Sequence, residues 1–268
     1  MGVWAVCLVM GSVILHVAWN ASARRAWGQL RFMWGLTFSA GISGLILANR
    51  SMMAIDWAKA WPYLAITSAI HSLYFIFLGQ SYKQSGLAWT YSTARGLGLL
   101  LTASGAYIVL HQDLNRLAWI GILIVAVGVV LMGWVAKLGA LSPVVMVAAM
   151  ISGYSLVDSH AMTLVAPIPY ATVLFLGASV LMLPWVVCTP KGDVSWNATL
   201  AGVGSFGSYA LMLFAYRLGP VGPLLALRQC APALAAVWGW WRLKERGSWH
   251  IWGGVVLTLA GGIMAVWR

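Results

Sequence analysis

The chain has 268 residues, 62% of them hydrophobic and 8% charged, with a mean hydropathy of +0.86. No water-soluble globule has that balance. Sixteen Lys and Arg against five Asp and Glu give a net charge of +11, but the basic residues are scattered singly between apolar runs. They mark membrane boundaries, and no nucleic-acid partner is expected.

Ten apolar runs follow one another, each of roughly the 20 residues a helix needs to cross a hydrocarbon core. Span one covers about residues 3–22. It lacks a basic stretch before its apolar run and a small-residue cleavage site, so it is expected to be retained. It carries His16, Trp19 and Asn20, whose spacings of three and four put them on one helix face. Spans two and three cover about 32–48 and 62–80, the latter with His71 and Tyr74 three apart. Span four, about 87–109, holds Trp89 and Arg95, and span five covers about 117–135. Span six, about 143–163, holds Tyr154 and, four residues on, Asp158, the one carboxylate well inside an apolar run. Spans seven to ten cover about 168–188, 197–215, 220–241 and 249–267, with Tyr209 in span eight and Arg228 in span nine. Short junctions rich in Arg, Lys, Asp and Pro separate them. The fold class expected is an all-α, polytopic membrane protein with ten transmembrane helices.

Three cysteines, Cys7, Cys188 and Cys230, match no metal spacing and read as small hydrophobes. Many of the seventeen tryptophans fall near span ends, where they anchor helices at the interface. Trp19 and Trp89 are the better candidates for lining a cavity.

Sliding the chain on itself by 133 residues aligns 82–134 with 215–267 without a gap. Gly86 meets Gly219, Arg95 meets Arg228, Trp119 meets Trp252, Gly121 meets Gly254, Gly128 meets Gly261 and Trp134 meets Trp267. Arg and Trp are costly or rare in apolar segments, so their coincidence points to a duplication of five spans, 1–136 and 137–268. An odd number of spans makes the second copy enter the membrane from the opposite side. Inverted repeats recur in secondary transporters, with the substrate held near the midplane between them.

An ionisable group at the bilayer centre costs about 2.5 to 3.5 kcal/mol on insertion scales and by default marks a site. Arg95 and Arg228 each lie roughly 12 Å into their spans at 1.5 Å per residue, measured from opposite faces. A guanidinium stays charged and offers a fork of donors to carboxylate or phosphate, which points to an anionic or zwitterionic substrate. The alternative is that each arginine snorkels or ties helices together. His16, Trp19, Asn20, His71, Tyr74, Trp89, Tyr154 and Tyr209 are the further substrate-binding candidates. Asp158 is the candidate for proton coupling, because it can titrate where arginine cannot; the alternative for these groups is a hydrogen bond to a neighbouring helix.

Gly204-Ser205-Phe206-Gly207 is faintly similar to the serine motif of an intramembrane protease, but the necessary histidine is missing. No paired metal-binding histidines occur, and neither an enzyme, a cofactor nor a metal site is expected.

Several segments resemble the drug/metabolite transporter superfamily of the EamA type. His16 to Asn20 reads HVAWN, Tyr91 to Gly96 reads YSTARG, Ala226 to Gln229 reads ALRQ, Leu243 to Glu245 reads LKE and Trp252 to Gly262 reads WGGVVLTLAGG. The chain departs from the family at His111 and Gln112, where many members have Gly-Glu, and at Leu99, where they have a proline. Pro232 stands at the equivalent place in the second half. The resemblance implies a secondary transporter for small metabolites such as organic acids or amino acids, and the branch with a similar start points to phosphonate-like solutes. A flippase for lipid-linked headgroups and a multidrug or organic-cation exporter are the alternatives.

The expected location is a bacterial-type cytoplasmic (inner) membrane, crossed many times. The resemblance implies cytoplasmic termini, whereas the Lys and Arg count by loop, nine against five, favours termini outside. The expected partners are a small-molecule substrate and membrane lipids, with a homodimer left open.

Overall fold

The computed structural model describes residues 1–23, 29–85, 87–134, 141–189, 196–243 and 248–267. The first half holds α1 (Val3–Ala23), α2 (Leu30–Ala48), a 3-10 turn (Asn49–Ala54), α3 (Trp57–Ser85), α4 (Leu87–Val109) and α5 (Arg116–Met132). The second holds α6 (Leu141–Ala161), α7 (Pro167–Val187), α8 (Trp196–Tyr216), α9 (Val221–Arg228), α10 (Cys230–Leu243) and α11 (Trp249–Val266). Together they make ten spans, the ninth built from α9 and α10. The chain is an all-α polytopic membrane protein. The proposed division between 136 and 137 falls in 135–140, outside the described residues.

Helix ends follow local chemistry. The Asn115 side chain accepts from Ala118 N–H at 2.7 Å and caps α5. Asp56 precedes α3, and its carboxylate lies 3.1 Å from Lys59 Nζ. The hydrogen bond from Lys59 holds the Asp56 carboxyl below its ordinary pKa. α7 opens on Pro167, whose missing N–H is no loss in a first turn. Arg31 Nη2 donates to the carbonyl of Thr189 at 2.9 Å, just beyond the end of α7.

Span nine, continuous in the sequence reading, is interrupted at Gln229. Pro232 has no N–H to give the carbonyl of Arg228, four residues back. Leu99, at the equivalent place in α4, keeps its N–H, and α4 runs unbroken past Arg95.

Helix pairing repeats between the halves. The pairing of α1 with α8 is matched by α6 with α3, and α2 with α8 by α7 with α3. That of α4 with α6 is matched by α9 and α10 with α1. α2 packs on its own counterpart α7, and α5 on its counterpart α11. Gly121 faces Gly261 and Ala265, while Gly128 faces Gly254 and Thr258. Residue numbers rise along α5 as they fall along α11, so these repeat-related helices run antiparallel.

Outward faces carry Ile46, Val127 and Val203, exposed as lipid-facing apolar groups are. Trp4, Trp57, Trp61, Trp134, Trp185, Trp249 and Trp267 are exposed near helix ends, as interfacial anchors should be.

Candidate functional site

Most of the polar groups that would be costly in lipid converge on one cavity. Its empty space is about 920 Å³, open water at the mouth included. α1 contributes His16 and Trp19, α3 His71 and Tyr74, α4 Arg95, α6 Tyr154, α8 Ser205 and Tyr209, and α9 Arg228 with Gln229 just beyond it. α2 and α7 add apolar wall, including Phe32, Met33 and Phe175. α5 and α11 contribute nothing to it among the described residues; they form a packed pair outside it.

Arg95 and Arg228 both line this cavity, and Arg95 does not snorkel. Its Nη2 donates to His16 Nε2 at 2.8 Å and its Nη1 to Gln229 Oε1 at 3.2 Å. Arginine has no acceptor, so His16 Nε2 accepts and its proton sits on Nδ1. The Trp19 ring meets His16 edge-on at 5.2 Å between centroids. Arg228, 7% exposed, stands with its guanidinium carbon 5.8 Å from the centre of the Tyr209 ring. Its Nε is buried without a hydrogen-bond partner among the described residues.

Asp158 is fully buried and lies behind the wall, not on it. Its Oδ1 accepts from Thr67 Oγ1 and from Tyr170 OH, each at 2.6 Å, and its Oδ2 accepts from Tyr209 OH. Thr67 has a single hydroxyl proton, and the carboxylate takes it. His71 Nδ1, 3.0 Å from the Thr67 carbonyl and 3.2 Å from Thr67 Oγ1, must therefore be the donor there. Two hydroxyl routes thus join Asp158 to the cavity, one through Tyr209 and one through Thr67 to His71. The His71 and Tyr154 rings lie 4.3 Å apart, and Tyr74 packs on Tyr154 at 5.7 Å.

Of the candidates named from the sequence, His16, Trp19, His71, Tyr74, Arg95, Tyr154, Tyr209 and Arg228 meet at the cavity. The side chains of Asn20 and Trp89 lie outside the described residues. Sequence reasoning missed Gln229, which follows Arg228 directly in the ALRQ segment. It also missed Thr67 and Tyr170, the hydroxyl donors to Asp158; a hydroxyl inside an apolar span is common and points to no partner. The first glycine of the protease-like stretch is a seat: a Cβ on Gly204 would lie 2.8 Å from Trp19 Cβ.

Residues 139–267 match the model of the EamA-like transporter family. The chain is 34% identical over 79 residues to the multidrug resistance protein EbrA of Bacillus atrophaeus, a match covering 30% of this chain and 75% of that protein. It is 37% identical over 76 residues to the quaternary ammonium compound-resistance protein QacG of Staphylococcus sp. (strain ST94), covering 28% of this chain and 70% of that one. A solved protein structure has the same fold, with a TM-score of 0.77 at 18% identity over 98% of this chain and 96% of the other. The ten-span fold, the buried polar cavity and these likenesses agree: the chain belongs to the EamA-like transporters of the drug/metabolite transporter superfamily, and is a polytopic membrane transporter.

Proposed function

We propose that this transporter carries a small organic anion or zwitterion with an apolar portion, by alternating access between the units 1–136 and 137–268. The observation that supports this is the charge inventory of the cavity. The charged side chains lining it are two arginines, and no Asp or Glu is among the lining residues. Guanidiniums suit a carboxylate or phosphonate, while Trp19, Phe32, Tyr74, Phe75 and Phe175 offer apolar surface to the remainder of the solute. Asp158, joined to the cavity through Tyr209 and through Thr67 and His71, is the proton-coupling group in this reading. Its location would be a bacterial-type inner membrane with cytoplasmic termini, a placement that an active periplasmic reporter fused after Arg268 would overturn.

A second reading, export of organic cations, draws support from the names of the two relatives and from the same aromatic lining, since aromatic faces attract cations. The fixed positive charge of Arg95 and Arg228 weighs against it. Proteoliposome counterflow over carboxylates, phosphonates, amino acids and quaternary ammonium compounds separates the two. Exchange of the anionic or zwitterionic solutes is expected; exchange restricted to quaternary ammonium compounds would replace the first reading with the second.

A further inference from the structure

The two arginines match one another under the 133-residue repeat, but their partners do not. The residue after Arg228 is Gln229, whose amide oxygen accepts from Arg95 across the interface between the halves at 3.2 Å. The residue after Arg95, in the same repeat position, is Gly96, which has no side chain to return the bond to Arg228. Gly96 has no room for one, because a Cβ there would lie 2.8 Å from Val130 Cγ2 and 2.9 Å from the carbonyl oxygen of Ala126. Repeat symmetry is therefore broken at one position, and only one guanidinium receives the amide.

Arg228 is left with 93% of its surface buried, an Nε without a hydrogen-bond partner among the described residues and a tyrosine face beneath it. A buried positive charge is costly unless it is paired, and this residue lines the cavity. The anionic group of a ligand there would offset that cost. Arg95 already spends a donor on His16 and another on Gln229.

We propose that the arginines divide the work. Arg228 holds the anionic group of the solute, a carboxylate or phosphonate. Arg95, with Gln229 and His16, forms a latch across the two halves, and Gln229 is a positioning residue. The latch sits where α9 gives way to α10, so its bond joins the interrupted span of the second half to the unbroken α4 of the first. Opening and closing of the cavity moves these halves against each other, so the latch sets the rate of exchange while Arg228 sets affinity. This inference rests on the anion reading given above.

The test uses the full chain purified in detergent and in proteoliposomes, with radiolabelled benzoate and phenylphosphonate as anionic probes and tetraphenylphosphonium as the cationic one. Arg228→Gln is expected to weaken binding of both anions by roughly tenfold or more, the worth of a charged hydrogen bond. Arg228→Lys, which keeps the charge and loses the fork, serves should the glutamine variant fail to fold, and is expected to fall between it and the wild type. Gln229→Leu, which removes the acceptor and adds no charge to the cavity, is expected to leave binding within about threefold while speeding counterflow. Equal losses of binding in Arg95→Gln and in the Arg228 variants, or weakened binding with unchanged exchange in Gln229→Leu, would overturn the division. A wild-type protein that binds tetraphenylphosphonium and neither anion would overturn the anion reading itself, and the division with it.

Discussion

Gly128 and Gly254 each occupy the space where the other's side chain would be. A Cβ on Gly128 would lie 2.8 Å from the carbonyl oxygen of Gly254, and a Cβ on Gly254 would lie 2.5 Å from that of Gly128. Through this close approach α5 and α11, the last span of each half, meet antiparallel and outside the cavity. Among the described residues neither helix lines the cavity, which the other eight spans enclose.

Gly128→Ala or Gly254→Ala should therefore force these backbones apart and cost about 1 to 3 kcal/mol, as overpacking does elsewhere. Gly253→Ala is the control. Its Cβ would meet Leu131 Cδ2 at 3.5 Å, an ordinary contact, and it should leave the thermal midpoint in detergent within a degree or so of wild type. Equal loss from all three substitutions would contradict the seam.

The turn after α4 contains a conformational cost. His111 sits at φ 51°, the left-handed region that glycine enters freely. Gln112 beside it accepts from Val221 N–H at 3.0 Å and caps the start of α9. His111→Gly should gain up to about 1 kcal/mol, the strain relieved being partly offset by unfolded-state entropy. Gln112→Ala should lose about 1 kcal/mol, the usual worth of a cap. Denaturation midpoints of both variants check this, and a loss of stability in His111→Gly would contradict it.

Asp158 receives three hydroxyl donors in a dry setting. Asp158→Ala strands all three and should cost about 2 kcal/mol or more, whereas Asp158→Asn keeps an acceptor oxygen and should cost less. If Asp158 is the coupling group, the asparagine variant should also lose the response of counterflow to an imposed pH gradient while still exchanging solute at equal pH. Retention of gradient-driven accumulation would remove Asp158 from that role.

Pro232 interrupts span nine, and Pro232→Leu would return to Arg228 the backbone donor it lacks. Greater thermal stability together with slower exchange is expected, since a continuous helix resists the bend. Unchanged exchange in a more stable protein would show that the break is not used in transport.

Much of the molecule was legible in the sequence because membranes simplify it. Each span must be long, apolar and helical, so the runs near 3–22 or 249–267 could be read by hydropathy alone. The pairing of Arg95 with Arg228 was legible because arginine is rare in such runs. What stayed hidden depends on side-chain reach across sequence-distant spans. Nothing in the sequence says that Thr67 and Tyr170 donate to Asp158, 91 and 12 residues away, or that Gln229 bonds Arg95. The break at Gln229 was foreshadowed by Pro232, since the missing N–H acts four residues upstream.

The central claim is that the cavity moves solutes whose negative charge is received by arginine. Counterflow of radiolabelled benzoate and phenylphosphonate into proteoliposomes, measured for the wild type and for the double variant Arg95→Gln with Arg228→Gln, tests it most directly. Exchange by the wild type and its loss in a correctly folded double variant is the predicted result. Anion exchange that persists undiminished with both guanidiniums removed would contradict the account.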